Sequence, residues 1–250
     1  CDIDVDGINA SLIHAPGETD DHLIVWLADQ KILFCGDNWY HAFPNLYAIR
    51  GTAYRDFQKW ADSLTMMNDL APEILAPGHT RPVFGNEDIT EVLISTRDAI
   101  LHVMRETAKG MDEGKSLDDI CSDLALPPSL ADKPWLQEFY GKLGWSARAF
   151  AVGTLGWYDG NPTNLTCMST LSRANEMVKL AGGISALRQV ANETDNAHWC
   201  LELCDLLLAL GEPVAELKAS TLERLAETEI NATARNSYIW AAKELRETGE

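Results

Sequence analysis

Residues 14–50 read HAPGETDDHLIVWLADQKILFCGDNWYHAFPNLYAIR, and short apolar runs alternate here with turn residues. Glu18 stands in a turn after a strand-like segment, and Asp37 follows the apolar run of residues 32–35. A third polar side chain, His79, comes after a Pro-Gly pair behind another short apolar run. Two carboxylates and a histidine, each at the end of a predicted strand, form a donor set that suits a hard or borderline metal ion.

The apolar pattern predicts α/β structure first and all-α structure afterwards. Short apolar runs at residues 23–27 and 32–35, bounded by turn residues, predict a β-hairpin. An amphipathic helix is predicted after Asp56, which suits the N-cap position, and residues 74–75 predict one more strand. From residue 88 onward the strand signals disappear, so the chain divides into an α/β region, residues 1–95, and a helical region, residues 96–250. Helices are predicted there at residues 88–109, 117–124, 135–143, 145–154, 169–181, 184–194, 196–210, 212–227 and 231–247.

The composition excludes several classes of function. The chain has 250 residues, 46% of them apolar, and a formal net charge of −18. A nucleic-acid partner or an anionic membrane surface needs clustered Lys and Arg, and this sequence has no such cluster. No apolar run approaches the roughly eighteen residues of a membrane span, and no signal peptide is visible. Because the chain starts at Cys1 in a polar segment, we expect it to be a part of a longer protein.

Each of the three candidate ligands has an ordinary explanation when it is taken alone. A Glu after Pro-Gly is commonly a solvated turn residue, and an Asp after a strand is commonly a turn or helix cap. A histidine after Pro-Gly can be a loop residue with satisfied hydrogen bonds. The combination favours a site, because Glu18, Asp37 and His79 all lie at the carboxyl side of apolar runs, where α/β sheets bind ligands.

The motifs resemble the second half of a metallo-β-lactamase-fold domain. The order is His14-Ala15-Pro16-Gly17-Glu18-Thr19, then a strand that ends in Gly-Asp, then Pro-Gly-His. Most of that family has a histidine where this chain has Glu18, and a glutamate there is typical of the alkyl sulfatase branch. The segments NLYAIRG, residues 45–51, and LGWYDGNP, residues 155–162, also resemble that branch. The fold implied is part of an αββα domain followed by a helical, tetratricopeptide-like dimerisation domain.

The resemblance implies a role for five residues. Glu18 would bind one zinc ion, Asp37 would bridge two zinc ions as the catalytic carboxylate, and His79 would bind the second ion. Arg50 would hold the substrate sulfate, and a guanidinium suits sulfate because it presents a planar pair of donors. An ordinary surface salt bridge is the alternative for Arg50. Tyr158 is a candidate for substrate binding, since Ala151 and Thr154 stand where relatives often have tyrosines.

The implied activity is zinc-dependent hydrolysis of alkyl sulfate esters of the dodecyl sulfate type, by a homodimeric protein that is periplasmic or secreted. The HxHxDH motif that supplies the other zinc ligands in the family is absent from these 250 residues. We therefore expect the isolated chain to be inactive. Two alternatives stay open: a non-catalytic dimerisation module, and another hydrolase of the metallo-β-lactamase fold.

Overall fold

The computed structural model describes residues 1–249, which fall into two compact units. The first unit comprises Cys1–Asp159, and the second begins at Gly160. The boundary predicted at residues 95–96 lies inside the continuous helix Asn86–Asp112. As a division between family domains, that boundary stays a prediction.

The first unit is built on a sheet whose strands follow one another in sequence order. Every neighbouring pair is antiparallel except the fourth and fifth strands, which run parallel. The parallel pair needs a crossover, and a helix supplies it. The strands are β1 Asp2–Val5, β2 Ile8–His14, β3 Leu23–Leu27, β4 Ile32–Gly36, β5 Ile74–Pro77 and β6 Val83–Phe84.

Helices cover the inner face of this sheet. The crossover helix α1, Phe57–Asp69, begins at Asp56, whose side chain accepts a hydrogen bond from the Lys59 amide, as predicted. It is followed after β6 by the long helix α2, Asn86–Asp112. Both helices bury their apolar sides in one core with inward-facing strand residues such as Leu33. The remaining helices of this unit are α3 Leu117–Asp123, α4 Pro128–Ala131 and α5 Leu143–Leu155.

The outer face of the sheet is also apolar, although no helix of the core cluster covers it. Leu23, Phe34 and Phe84 are 52%, 45% and 63% exposed on this face. A sheet face that is in contact with water normally carries polar side chains between the buried ones. This face therefore has the composition of one that packs against a further layer. Its apolar members, by strand register, are Ile3, Ile8, Leu12, Leu23, Val25, Leu27, Ile32, Phe34, Ile74 and Phe84.

The helix predicted at residues 135–143 is wrong. Only a short 3₁₀ turn, Pro134–Leu136, forms there. The backbone of this segment pairs with the loop after β4 instead: the Phe43 amide donates to the Gln137 carbonyl at 2.8 Å, and the Gly141 amide to the Phe43 carbonyl at 3.1 Å. These long-range hydrogen bonds replace the ones that a helix would make within itself.

The second unit is helical, as the sequence predicts. Its core lies on helix α8, Ala197–Ala209, where Leu203, Cys204 and Leu207 are buried. Asparagines cap two helices, since Asn196 accepts a hydrogen bond from Trp199 and Asn231 accepts one from Ala234. Across residues 1–249 no helix has the length and apolar character needed to cross a membrane. The helices are α6 Thr170–Ala181, α7 Ile184–Glu193, α8 Ala197–Ala209, α9 Ala215–Thr228 and α10 Ala232–Thr248.

Candidate active site

Glu18 lies in the loop between β2 and β3, and Asn38 holds this loop against the end of β4. The fully buried Asn38 side chain donates to the Ala15 carbonyl at 2.7 Å and accepts from the Glu18 amide at 3.1 Å. A Cβ on Gly17 would lie 2.2 Å from the Asn38 amide oxygen, so only glycine fits beside it. The Asn38 carbonyl in turn accepts a hydrogen bond from the Trp60 indole at 2.9 Å, which connects the loop to α1. The position of the Glu18 backbone is thus fixed by buried hydrogen bonds.

Only one of the two oxygens of the Glu18 carboxylate has a partner among the described residues. Its Oε1 pairs with the Arg55 guanidinium at 3.0 Å, while Oε2 is buried and has no hydrogen-bond partner among the described residues. Burial raises the pKa of Glu18; the positive charge of Arg55 opposes this shift, and the charge of Asp37 adds to it. A buried carboxylate oxygen without a partner is costly. A cation bound beside it would remove that cost.

Asp37 and His79 come from neighbouring strand ends. Because β4 and β5 are parallel, their carboxyl ends meet at the same edge of the sheet, and the Gly78 amide donates to the Gly36 carbonyl at 2.8 Å. The His79 Nδ1 lies 2.6 Å from the Asp37 carboxylate. This hydrogen bond, together with the charge of Asp37, raises the pKa of His79. The parallel pairing of β4 and β5 therefore brings Asp37 and His79 together.

The three predicted ligands lie within electrostatic reach of one another. The charge of Asp37 acts on the pKa of Glu18, and the charge of Glu18 acts weakly on that of His79. In the described part of the chain, however, no three His, Cys, Asp or Glu side chains converge closely enough to hold a metal ion by themselves. The ligand roles of the three residues stay predictions.

Arg50 and Tyr158 are both more exposed than the predicted ligands. Arg50 is exposed, and it has no ion pair among the described residues, so the alternative of a surface salt bridge finds no partner there. Tyr158 is 38% exposed, and its ring meets the edge of the Trp157 ring at a centroid distance of 6.0 Å. Their substrate-binding roles also stay predictions.

Arg55 is the functional candidate that sequence reasoning missed. It is only 6% exposed, and its guanidinium binds both the Glu18 carboxylate and the Asn45 carbonyl. The Asn45 amide donates to the buried Tyr40 hydroxyl at 2.6 Å. Arg55 thus joins the Glu18 loop to the segment that starts at Asn45. Its sequence position, five residues after Arg50 in a polar stretch, carries no signal of burial.

Arg55 also contributes to a cavity of about 360 Å³ in the first unit. A second guanidinium, that of Arg148 on α5, lies in the wall and forms an ion pair with Asp118. The rest of the lining is mainly apolar, which suits a ligand with a hydrocarbon part. Because Arg55 touches both Glu18 and this cavity, the candidate metal-binding edge and the cavity adjoin. The lining residues are Leu46, Tyr47, Ile49, Thr52, Tyr54, Arg55, Trp145, Arg148, Ala149, Val152 and Gly153.

Comparison with known families agrees with this geometry. Residues 2–79 match the metallo-beta-lactamase superfamily, and residues 116–248 match the family described as alkyl sulfatase dimerisation. The chain is therefore a metallo-β-lactamase-fold protein with a helical extension. This class is defined by the sheet, by the polar side chains at its strand ends and by the helices that follow it. More narrowly, the chain belongs to the alkyl sulfatase family. The resemblance and the fold class predicted from the sequence are confirmed.

Individual relatives point to the same family. A linear primary-alkylsulfatase of Pseudomonas sp. is 30% identical over 252 residues, which is 98% of this chain and 48% of that protein. The alkyl/aryl-sulfatase of Saccharomyces cerevisiae is 29% identical over 254 residues, or 39% of its length. The crystal structure of the stereoselective inverting sec-alkylsulfatase Pisa1 from Pseudomonas sp. matches with a TM-score of 0.89 at 29% identity, over 98% of this chain and 40% of that one. The chain thus spans less than half the length of these relatives.

Proposed function

We propose that the native protein carrying these 250 residues hydrolyses alkyl sulfate esters of the dodecyl sulfate type to an alcohol and sulfate. One observation carries the proposal: a partly buried glutamate, with one buried oxygen that has no partner among the described residues, adjoins, through Arg55, an apolar cavity with two arginines. Membership of the alkyl sulfatase family supports this reaction class. A periplasmic or secreted location stays a prediction from the resemblance.

Membership of the metallo-β-lactamase superfamily suggests metal dependence, and we propose that the metal is zinc, with two ions in the native protein. Glu18 and His79 would hold one ion each, and Asp37 would bridge them. The donor set fits a hard or borderline ion such as zinc, because the Glu18 Oε2 is buried without a partner among the described residues and the other two donors are a carboxylate and an imidazole. Zinc in such a site supplies Lewis acidity and a water nucleophile at neutral pH.

The chain's own side chains orient the site and attract the substrate. Arg55 holds the Glu18 carboxylate by one oxygen, and Asp37 fixes the ring of His79 through Nδ1. An alkyl sulfate is an anion, and in a protein of net charge −18 it needs local positive groups. Arg50, which is exposed, would hold the sulfate group, while the apolar walls of the cavity would exclude water from the alkyl chain. Tyr158 is the candidate for a further contact with the substrate.

The donor count also supports an expectation for the isolated chain. A stable zinc centre normally has three or four protein ligands, and here each of the two proposed ions would have one ligand of its own and a share of the bridge. We therefore expect the 250-residue chain alone to bind zinc weakly and to release no sulfate.

Sulfate release tests the function directly. The native protein with added zinc should release sulfate from dodecyl sulfate, as measured by ion chromatography. Arg50→Ala should lower turnover strongly without changing thermal stability, whereas Arg105→Ala, an exposed arginine on α2, is the matched control and should leave turnover unchanged. No sulfate release by the native protein would overturn the function. Full turnover by Arg50→Ala would remove only its sulfate-binding role.

A second candidate function is a non-catalytic dimerisation module. The absence of a closed three-ligand cluster within residues 1–249 favours it for the chain by itself. The family description of residues 116–248 leads us to propose that the chain forms a homodimer through its helical region. The sulfate assay on the native protein separates the two candidates, since a native protein in which these residues served only for dimerisation would leave dodecyl sulfate intact at any zinc concentration.

A further inference from the structure

The cavity of the first unit lies between two walls, and the Tyr54 ring joins them. Residues 46–55 supply one wall, and helix α5 supplies the other. Tyr54 belongs to the first wall, yet its ring lies directly against Gly153 in the second. A Cβ on Gly153 would lie 2.2 Å from the Cδ2 atom of this ring and 2.3 Å from its Cε2 atom. The ring therefore limits the space between the two walls at this point.

Gly153 makes room for the Tyr54 ring. Glycine is less favourable than alanine within a helix, because it loses more backbone freedom on folding. Nevertheless, no residue with a Cβ fits at position 153 while the rigid ring of Tyr54 stays where it is. The glycine in α5 is thus explained by the close approach of the ring.

Other contacts hold the Tyr54 side chain in this place. Its ring stacks on the ring of Phe57, with centroids 6.1 Å apart and an angle of 8° between the planes. Phe57 is fully buried in the core of the unit. Burial raises the pKa of Tyr54 and the charge of Asp56 adds to the rise, while a hydrogen bond with the Thr154 side chain opposes it. The ring is therefore fixed at its face, at its edge and at its hydroxyl group.

We infer that the Tyr54 ring sets the width of the cavity and makes the protein select linear over branched alkyl chains. The inference rests on the proposed hydrolysis of alkyl sulfates and adds a residue that determines specificity. An alkyl chain in the cavity has to lie beside this ring, and a linear chain is the narrowest form for a given number of carbons. Because packed walls yield little, a branch that meets the ring is disfavoured.

Shape alone distinguishes the two kinds of chain at this wall. None of the described residues that line the cavity is acidic, and Tyr54 itself carries no charge at neutral pH. Two isomeric alkyl sulfates have the same charge and the same number of carbons. A difference in their turnover therefore reports the fit of the hydrocarbon part.

The test compares octyl sulfate with its branched isomer 2-ethylhexyl sulfate, both below the concentration at which micelles form. The native protein with added zinc should have the higher kcat/KM for octyl sulfate. Tyr54→Ala should lower the ratio of the two kcat/KM values about tenfold or more, because the ethyl branch then finds room. Tyr54→Phe keeps the ring and should keep the wild-type ratio. Tyr238→Ala, the same change on α10 in the second unit, is the matched control and should leave the ratio unchanged.

The contact between Tyr54 and Gly153 has a test that needs no substrate. Gly153→Ala should lower the thermal midpoint of the native protein, because the new methyl group displaces the Tyr54 ring. In the Tyr54→Ala background the same change should raise the midpoint by about 1–4 °C, since only the better helix propensity of alanine remains. A shift of the same sign in both backgrounds would overturn the contact and the inference with it.

The outcomes separate the selectivity from the proposed function. If the wild type releases no sulfate from either isomer, both the function and the role of Tyr54 are wrong. If it hydrolyses both isomers equally well, or if Tyr54→Ala leaves the ratio unchanged, the selectivity alone is overturned. Loss of folded protein lowers both rates by the same factor, so it does not move the ratio. If Tyr54→Ala fails to fold, Tyr54→Leu keeps an apolar contact with Phe57, and it should also lower the ratio; an unchanged ratio there would overturn the inference.

Discussion

Breaking the ion pair between Arg55 and Glu18 should destabilise the first unit strongly. Both side chains are largely buried, at 5% and 12% exposure, and their contact is 3.0 Å. Removing one partner of a buried pair costs about 3–5 kcal/mol, because the other charge stays desolvated. For Arg55→Met in the metal-free chain we expect the free energy of unfolding to fall by about 3 kcal/mol. This is the lower end of that range, because Glu18 is only partly buried.

Urea unfolding followed by tryptophan fluorescence measures this cost. A loss of about 3 kcal/mol corresponds to a fall in the midpoint of roughly 1 M or more, given a typical slope of about 1–3 kcal/mol per M. The double variant Arg55→Met/Glu18→Met removes both charges, so its cost should fall short of the sum of the single costs by about 1–3 kcal/mol. Arg50→Met, at an exposed site, is the control and should stay within about 0.5 kcal/mol of wild type.

Two results would contradict a buried, coupled ion pair between Arg55 and Glu18. If Arg55→Met lowers the free energy of unfolding by less than about 1 kcal/mol, the Glu18 carboxylate is better hydrated than its burial indicates. If the costs of the two single variants add in the double variant, Arg55 and Glu18 do not interact, and Arg55 has no part in holding the Glu18 carboxylate.

Three further predictions concern other positions. Asn38→Ala removes buried hydrogen bonds to the Glu18 loop, so the free energy of unfolding in urea should fall by about 2–3 kcal/mol. A fall of less than about 0.5 kcal/mol would show that Asn38 does not hold this loop in place. Gly78→Ala would bring a Cβ to 2.7 Å from the Asp37 Oδ1, so zinc affinity of the native protein, measured by competition with a chelator, should fall; an unchanged affinity would show that Asp37 can move freely. Hydrogen bonds from Arg246 lower the pKa values of Glu216 and Glu223 below their ordinary 4.5, so their stabilising effect is present above pH 4.5 and lost as the pH falls through the lowered values. Arg246→Gln should therefore lower the thermal midpoint at pH 7 but not in strong acid, and an equal effect at both pH values would contradict this contact.

Local sequence signals predicted much of the fold correctly. The apolar spacing of α1 and its Asp56 cap depend only on nearby residues, so both could be found without the structure. The sequence placed Asp37 and His79 at the carboxyl side of apolar runs, where α/β sheets bind ligands. The parallel pairing of β4 and β5, which the sequence did not predict, brings the two side chains together. These features are local, or depend on a single pairing of strands.

The features that escaped prediction depend on distant partners. The segment at residues 135–143 has a helical pattern, yet its backbone pairs with Phe43, more than ninety positions earlier in the chain. Arg55 looks like a surface residue in sequence, and only the tertiary arrangement of Glu18 and Asn45 buries it. Neither partner could be identified from spacing or composition, because the apolar pattern reports which face is buried and not what lies against it.

The proposed zinc site comprises Glu18, Asp37 and His79 at one edge of the sheet of the first unit. Its most direct test is the zinc content of the purified native protein, measured by plasma mass spectrometry beside its Asp37→Asn variant. We expect two zinc ions per chain in the wild type and a clear loss in the variant, because Asp37 would touch both ions. A native protein without zinc, or an Asp37→Asn variant that keeps both ions with unchanged affinity, would contradict it.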